Sequence, residues 1–310
     1  MSLSRDEIYS DLERLTRECD VNLFFYPLHY RAGDFLFPKL VSRALQPRDK
    51  ILLLAAGVHA NEIAGPLTIA RYGRELIEHA HARGVKLIIY PLRNPSAYGI
   101  PGKRYNIDVD DEHVEHGNND FLRYELADGR VLGDLKEGKE FKAWGWSSDA
   151  RFGVALPPET KLMHDLMRQD PLGQVCALID LHQDFLTRDA PPLSYHYAYG
   201  DLARYARIVA EIARIAPLAR NRWIGAGYRG RDAQGRASRD AVSQAMQSDA
   251  QGFIVRHDGT LPDLLYRIGE AQGRVVHAIT PETSGATPLE IACEVNWIWI
   301  RGVIELVAGE

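Results

Sequence analysis

The sequence predicts an α/β fold: a single three-layer α/β/α domain over residues 1–310, built on a mixed, mostly parallel twisted sheet. Three observations predict it. Short apolar runs recur at 51–56, 85–91 and 175–181, each bounded by turn residues, the pattern of strands buried on both faces. Stretches with helical periodicity separate them. The first two runs flank one such helix, at 66–82 and ended by Gly84, and a β-α-β unit of this kind joins parallel strands through a helical crossover.

The remaining elements follow in order. Residues 4–19 form a helix with Ile8, Leu12 and Leu15 on one face. The aromatic-rich stretch 21–38, with Phe24, Phe25, Tyr26, Tyr30, Phe35 and Phe37, supplies one or two edge strands. From 94 to 156 the periodicity breaks down among glycines, acids and the aromatics Phe141, Trp144 and Trp146. A loop this long in a compact domain is functional or disordered, and its aromatics argue against disorder, so it is assigned to shaping the approach of a substrate. Pro157-Pro158-Glu159 opens a helix running to about 169. A fourth strand is expected at 193–199, and helices at about 201–215, 261–272 and 288–307. The last of these carries Ile291, Val295 and Ile298 on one face, and a strand is expected at 274–280. Residues 221–258, rich in glycine and arginine, read as irregular, and no repeat or linker marks a domain boundary.

Bulk properties narrow the function classes. A formal net charge of -5 gives no footprint for general nucleic-acid binding. No apolar run approaches the ~20 residues of a membrane span, and the first residues lack an apolar signal core. The cysteines Cys19, Cys176 and Cys293 are far apart and form no Cys-x-x-Cys, and the latter two fall in apolar segments as reduced core residues do. The expectation is a soluble cytoplasmic protein with neither nucleic-acid nor membrane partner; the sequence specifies no oligomer.

The chemistry gathers where strands end. The run 51–56 leads into Gly57-Val-His59-Ala-Asn-Glu62 at the start of a helix. A histidine and a carboxylate directly after a wholly apolar strand are costly to hold without partners. Together they offer two of the three protein ligands of an open, catalytic zinc site. The run 175–181 ends in Asp180-Leu-His182-Gln-Asp184, so His182 is the natural third ligand, and Asp180 or Asp184 can orient an imidazole from behind. Two imidazoles and a carboxylate suit one Zn2+ with a position left for water; no complete ligand set for a second ion is visible. The run 274–280 leads to Glu282, a carboxylate suited to take a proton from a metal-activated water and pass it to a leaving amine. The acidic stretch 108–112 lacks the glycine and closing glutamate of a calcium loop and reads as solvated.

Taken in order, Gly-x-His-x-x-Glu, then Asn94-Pro95 in a following loop, then a strand ending in His182, then Thr280-x-Glu282, the sequence resembles the carboxypeptidase A-like zinc metallopeptidases. The related aspartoacylase and succinylglutamate desuccinylase branch shares that core. The resemblance spans about 51–284 and implies a zinc carboxypeptidase-like α/β/α domain. It implies His59, Glu62 and His182 as zinc ligands, Glu282 as general base and acid, and Arg104, ten residues after Asn94, as the group that faces the oxyanion. It implies a peptide or acylated amino acid as substrate. Asn118, Arg123 and the loop tyrosine Tyr228 are the implied substrate-binding residues, with Tyr266 a lesser candidate because it falls in a helix. One departure bears on specificity: Asn119 stands where carboxypeptidases carry the arginine that grips a terminal carboxylate. The expected activity is therefore a metallocarboxypeptidase. The alternatives are an N-acyl-amino-acid deacylase and a non-catalytic binding module on the same fold.

Overall fold

The computed structural model describes residues 3–107, 158–183, 191–222, 224, 247–255 and 260–310. It also describes the backbone of three two-residue ladders: Tyr124–Glu125 with Val131–Leu132, Glu140–Phe141 with Val154–Ala155, and Gly230–Arg231 with Ala237–Ser238.

Helix α1 (Arg5–Glu18) starts at a capping box: Ser4 Oγ accepts from Glu7 N–H, and Glu7 returns a carboxylate oxygen to Ser4 N–H. Its buried Ile8, Leu12 and Leu15 are the face the sequence predicts. The aromatic-rich stretch becomes a hairpin, β1 (Val21–Tyr30) with β2 (Gly33–Ser42), paired along its whole length. Only β1 lies on the edge, because β2 pairs with the sheet through Leu40 and Val41. Strands β3 (Lys50–Ala56) and β4 (Val85–Tyr90) run parallel around α2 (Ala64–His81), as the β-α-β pattern requires.

Helix α2 begins two residues ahead of Pro66. A proline in the first helical turn removes no intrahelical donor, so it does not mark the start. Two glycines allow this close entry. Gly57 has φ +66°, and a Cβ there would lie 2.8 Å from Pro66; a Cβ on Gly65 would lie 2.9 Å from Leu181 Cβ.

The chain continues through α3 (Pro158–Met167), β5 (Val175–Leu181), β6 (Ser194–Ala198) and α4 (Ala206–Ile212). It ends with β7 (Phe253–Ile254), α5 (Leu261–Ala271), β8 (His277–Thr283) and α6 (Leu289–Gly309). The helix expected from 201 is shorter than its pattern, because Asp201 caps a 3-10 turn at Leu202–Tyr205 first. Residues 253–254, expected to be irregular, form β7 instead by pairing with His196 and Tyr197 of β6.

Eight strands make one sheet in the order β1-β2-β4-β3-β5-β8-β6-β7. The pairs β4–β3, β3–β5, β5–β8 and β6–β7 are parallel and the other three antiparallel, so the sheet is mixed and mostly parallel. One face carries Leu52, Leu54, Leu87 and Ile179 beneath α1, α2, α4 and α6; the other carries Leu53, Ile88 and Leu178 beneath α3 and α5. Each fully buried leucine of this kind stabilises the fold by about 1.5–3 kcal/mol. Among the described residues no helix is long and apolar enough to cross a membrane. The three cysteines are free; Cys293 is buried, and Cys176 is half-buried rather than a full core residue.

Strand β8 corrects the expected span 274–280. It runs three residues further, so Glu282 sits inside the strand rather than after it. Pro281 does not end the strand, because its partner His196 donates its N–H to Gly252 on the other side and asks no hydrogen bond of it. The register of β8 with β5 covers His277–Ile279, one further hydrogen bond joins His182 to Pro281, and β8 continues along β6 as far as Thr283. The carboxyl ends of β3 and β5 thus meet the end of β8 at the crevice position where open α/β sheets place their ligands.

Candidate metal centre

Four separate segments supply this crevice. His59 lies in the turn after β3, and Glu62 just ahead of α2, with Glu62 N–H donated to His59 O at 3.2 Å. His182 is the first residue after β5 and Glu282 the last but one of β8; His182 N–H donates to Pro281 O at 3.2 Å, which fixes the two strand ends together. Arg104 lies in the loop after β4. Its carbonyl accepts Ala60 N–H at 2.8 Å, so this loop is stitched to the histidine turn. Asn94 completes the stitching: its amide donates to Val58 O at 3.2 Å and Arg104 O at 3.4 Å, and its oxygen accepts from Ser96 Oγ and Ala97 N–H.

His59, Glu62 and His182 are all buried, and each offers a ligand atom within 4.8 Å of the other two. Both imidazoles turn Nδ1 to the same carboxylate. His59 Nδ1 is 2.9 Å from Glu62 Oε1, and His182 Nδ1 is 2.9 Å from Glu62 Oε2. Gln183 N–H also donates to Glu62 Oε2, at 3.2 Å. The rings stand 5.2 Å apart at 73°. Burial pushes the Glu62 carboxyl up, but His59, Arg104 and His182 outweigh it and hold the group well below its usual range, as an anion. Two nitrogens and one anionic oxygen converging at this spacing fit a zinc ion with a fourth position open. The residues present therefore suit the group that the sequence implies.

The two remaining central residues stand beside this triad. Glu282 Oε1 is 3.9 Å from His182 Nδ1. Arg104 reaches in from the partly exposed side, with Nη1 2.6 Å from Glu62 Oε1 and Nη2 3.2 Å from His59 Nε2. Tyr105 packs edge-on to the His59 ring at 6.0 Å. Of the other expected site residues, Asn118, Arg123, Tyr228 and Asp184 lie outside the described residues, and so does Asn119. Tyr266 lies in α5, its hydroxyl donated to Glu270 at 2.9 Å.

Sequence reading missed Arg93. It lies three residues after β4 and donates from Nη1 to Asp180 Oδ2 at 2.8 Å, with both side chains buried. A charged residue soon after a largely apolar run was the available signal, a weaker form of the one that singled out His59. A second omission is Glu159, buried at the start of α3, whose carboxyl is pushed up to about 8 by burial.

No family model matches the chain, and no curated protein matches it. Solved structures do. A candidate metallopeptidase from Shewanella denitrificans OS217 aligns over 98% of this chain and 90% of its own, at 17% identity and a TM-score of 0.61. A second, from Shewanella baltica OS155, aligns over 98% and 91%, at 17% identity and 0.60. Carboxypeptidase A from Helicoverpa armigera aligns over 99% and 73%, at 14% identity and 0.57. At such identities the likeness is one of architecture, and the chain has the fold of the carboxypeptidase A-like metallopeptidases.

Proposed function

We propose that this chain is a zinc-dependent hydrolase of amide bonds, a metallocarboxypeptidase acting on peptides. The observation that carries the reading is the buried His59–Glu62–His182 cluster with a second carboxylate, Glu282, at its side. His59, Glu62 and His182 hold the ion. Zinc bound there supplies Lewis acidity toward a carbonyl oxygen and lowers the pKa of a water.

The rest falls to the chain itself. Glu282 takes the proton of the attacking water and delivers it to the nitrogen of the leaving amine. The Arg104 guanidinium, fixed by Glu62 and by its backbone bond to Ala60, faces the negative charge that develops on the carbonyl oxygen. Segment 94–156 is the stretch to which we assign substrate selection. Asn119, in place of the expected arginine, favours a second reading, an N-acyl-amino-acid deacylase with the same centre and the same proton path.

The test joins a metal assay to a substrate screen. Glu282→Gln is expected to lower turnover by about 10²–10⁴-fold while bound zinc stays at one per chain. Near-normal turnover in that variant would overturn the mechanism. Peptides with free and with amidated C-termini separate the two readings, because a carboxypeptidase needs the free carboxylate.

A further inference from the structure

Behind His182, on the side away from Glu62, lies a buried ion pair that the proposed reaction does not use. Asp180 precedes His182 by two residues. Its register with Ala55 places it on the sheet face covered by α3 and α5. Its Oδ2 accepts from Arg93 Nη1 at 2.8 Å and stands 3.6 Å from His182 Nε2. Its Oδ1 is buried without a hydrogen-bonding partner among the described residues. The His182 ring thus spans two carboxylates, Nδ1 toward Glu62 and Nε2 toward Asp180.

A lone buried carboxylate would be costly, and the Arg93 guanidinium offsets that cost. A carboxylate behind an imidazole favours the tautomer with its proton on Nε2, which leaves the Nδ1 lone pair for a ligand bond. We propose that Asp180, anchored by Arg93, is the positioning residue that holds His182 with Nδ1 directed at Glu62 and thereby sets the metal affinity of the centre. This rests on the reading of His59, Glu62 and His182 as zinc ligands.

The test replaces the pair by apolar residues of similar size, Arg93→Met with Asp180→Leu, so that no charge is stranded. The zinc dissociation constant is measured by chelator competition, and the melting temperature is measured on metal-stripped protein. Zinc affinity is expected to fall about 10–100-fold while the stripped protein melts close to the unaltered one. Where that variant does not fold, Asp180→Asn serves, with the same expected loss. A folded variant that binds zinc within threefold of the unaltered protein overturns the proposal and leaves the zinc reading standing. An unaltered protein that binds no zinc overturns both.

Discussion

Glu62 and Glu159 are the same residue type, equally buried at 2% and 1% exposure, and the fold gives them opposite protonation states. Glu62 sits between two imidazoles with a guanidinium at 2.6 Å, and these hold it anionic against its burial. Glu159 accepts the Tyr30 hydroxyl, and burial, which outweighs the backbone of Ser96 and of its own residue, lifts its carboxyl to about 8. Desolvation alone makes a glutamate a neutral acid; a guanidinium and converging imidazoles make it a ligand. What marks the candidate metal centre is therefore not burial but the company around one carboxylate.

The largest effect expected from this contrast is on metal. Glu62→Gln removes the only anionic donor of the triad and should reduce bound zinc from one per chain to a small fraction, with loss of hydrolysis. Glu159→Gln should leave zinc content unchanged. Equilibrium dialysis followed by elemental analysis checks both. Retention of stoichiometric zinc by Glu62→Gln would remove Glu62 from the centre and the contrast with it.

The same difference explains what could be read in the sequence. His59, Glu62 and His182 were legible because each follows a buried, largely apolar strand, so an imidazole or carboxylate at its end stands out against Ile51–Ala56 or Val175–Leu181. The parallel pairing of β3 and β4 was legible for a similar reason, the helix that separates them. Glu159 was hidden: Pro-Pro-Glu is an ordinary helix start, and nothing local shows that Tyr30, 129 positions away, will pack over it. Arg93 gave a signal, but its partner Asp180 comes from another strand, and only the register of β3 with β5 brings them together. The far end of β8 was misjudged because Pro281 reads as a stop, whereas its place in the ladder asks nothing of its missing N–H.

The second effect is on stability and depends on pH. Folding raises the Glu159 pKa from 4.5 to about 8. Below pH 4.5 both states hold the proton and the group is neutral to stability. Between the two values the unfolded chain releases its proton first, so stability falls as pH rises, and the loss is complete above about pH 8. Glu159→Gln lacks this proton. It should match the unaltered protein at pH 4 and exceed it by on the order of a few kcal/mol at pH 8.5. Urea unfolding at the two pH values measures it. A difference that does not change with pH would mean that Glu159 is ionised in the fold and that the contrast with Glu62 is wrong.

The smallest effect isolates the one side-chain partner that Glu159 has in the described structure. Tyr30 donates its hydroxyl to Glu159 Oε2, while its ring packs edge-on to Phe35 at 5.7 Å. Tyr30→Phe keeps the ring and removes the donor, leaving a buried acceptor unpaired, so it should cost about 1–2 kcal/mol at pH 6. A hydrogen bond to an ionised carboxylate is stronger than one to a neutral acid, so the cost should widen toward pH 9 as Glu159 loses its proton. Growth of the difference with pH locates the bond on the carboxyl rather than in the packing of the ring. An equal cost at both pH values would assign it to packing, and burial alone would then account for the neutral state of Glu159.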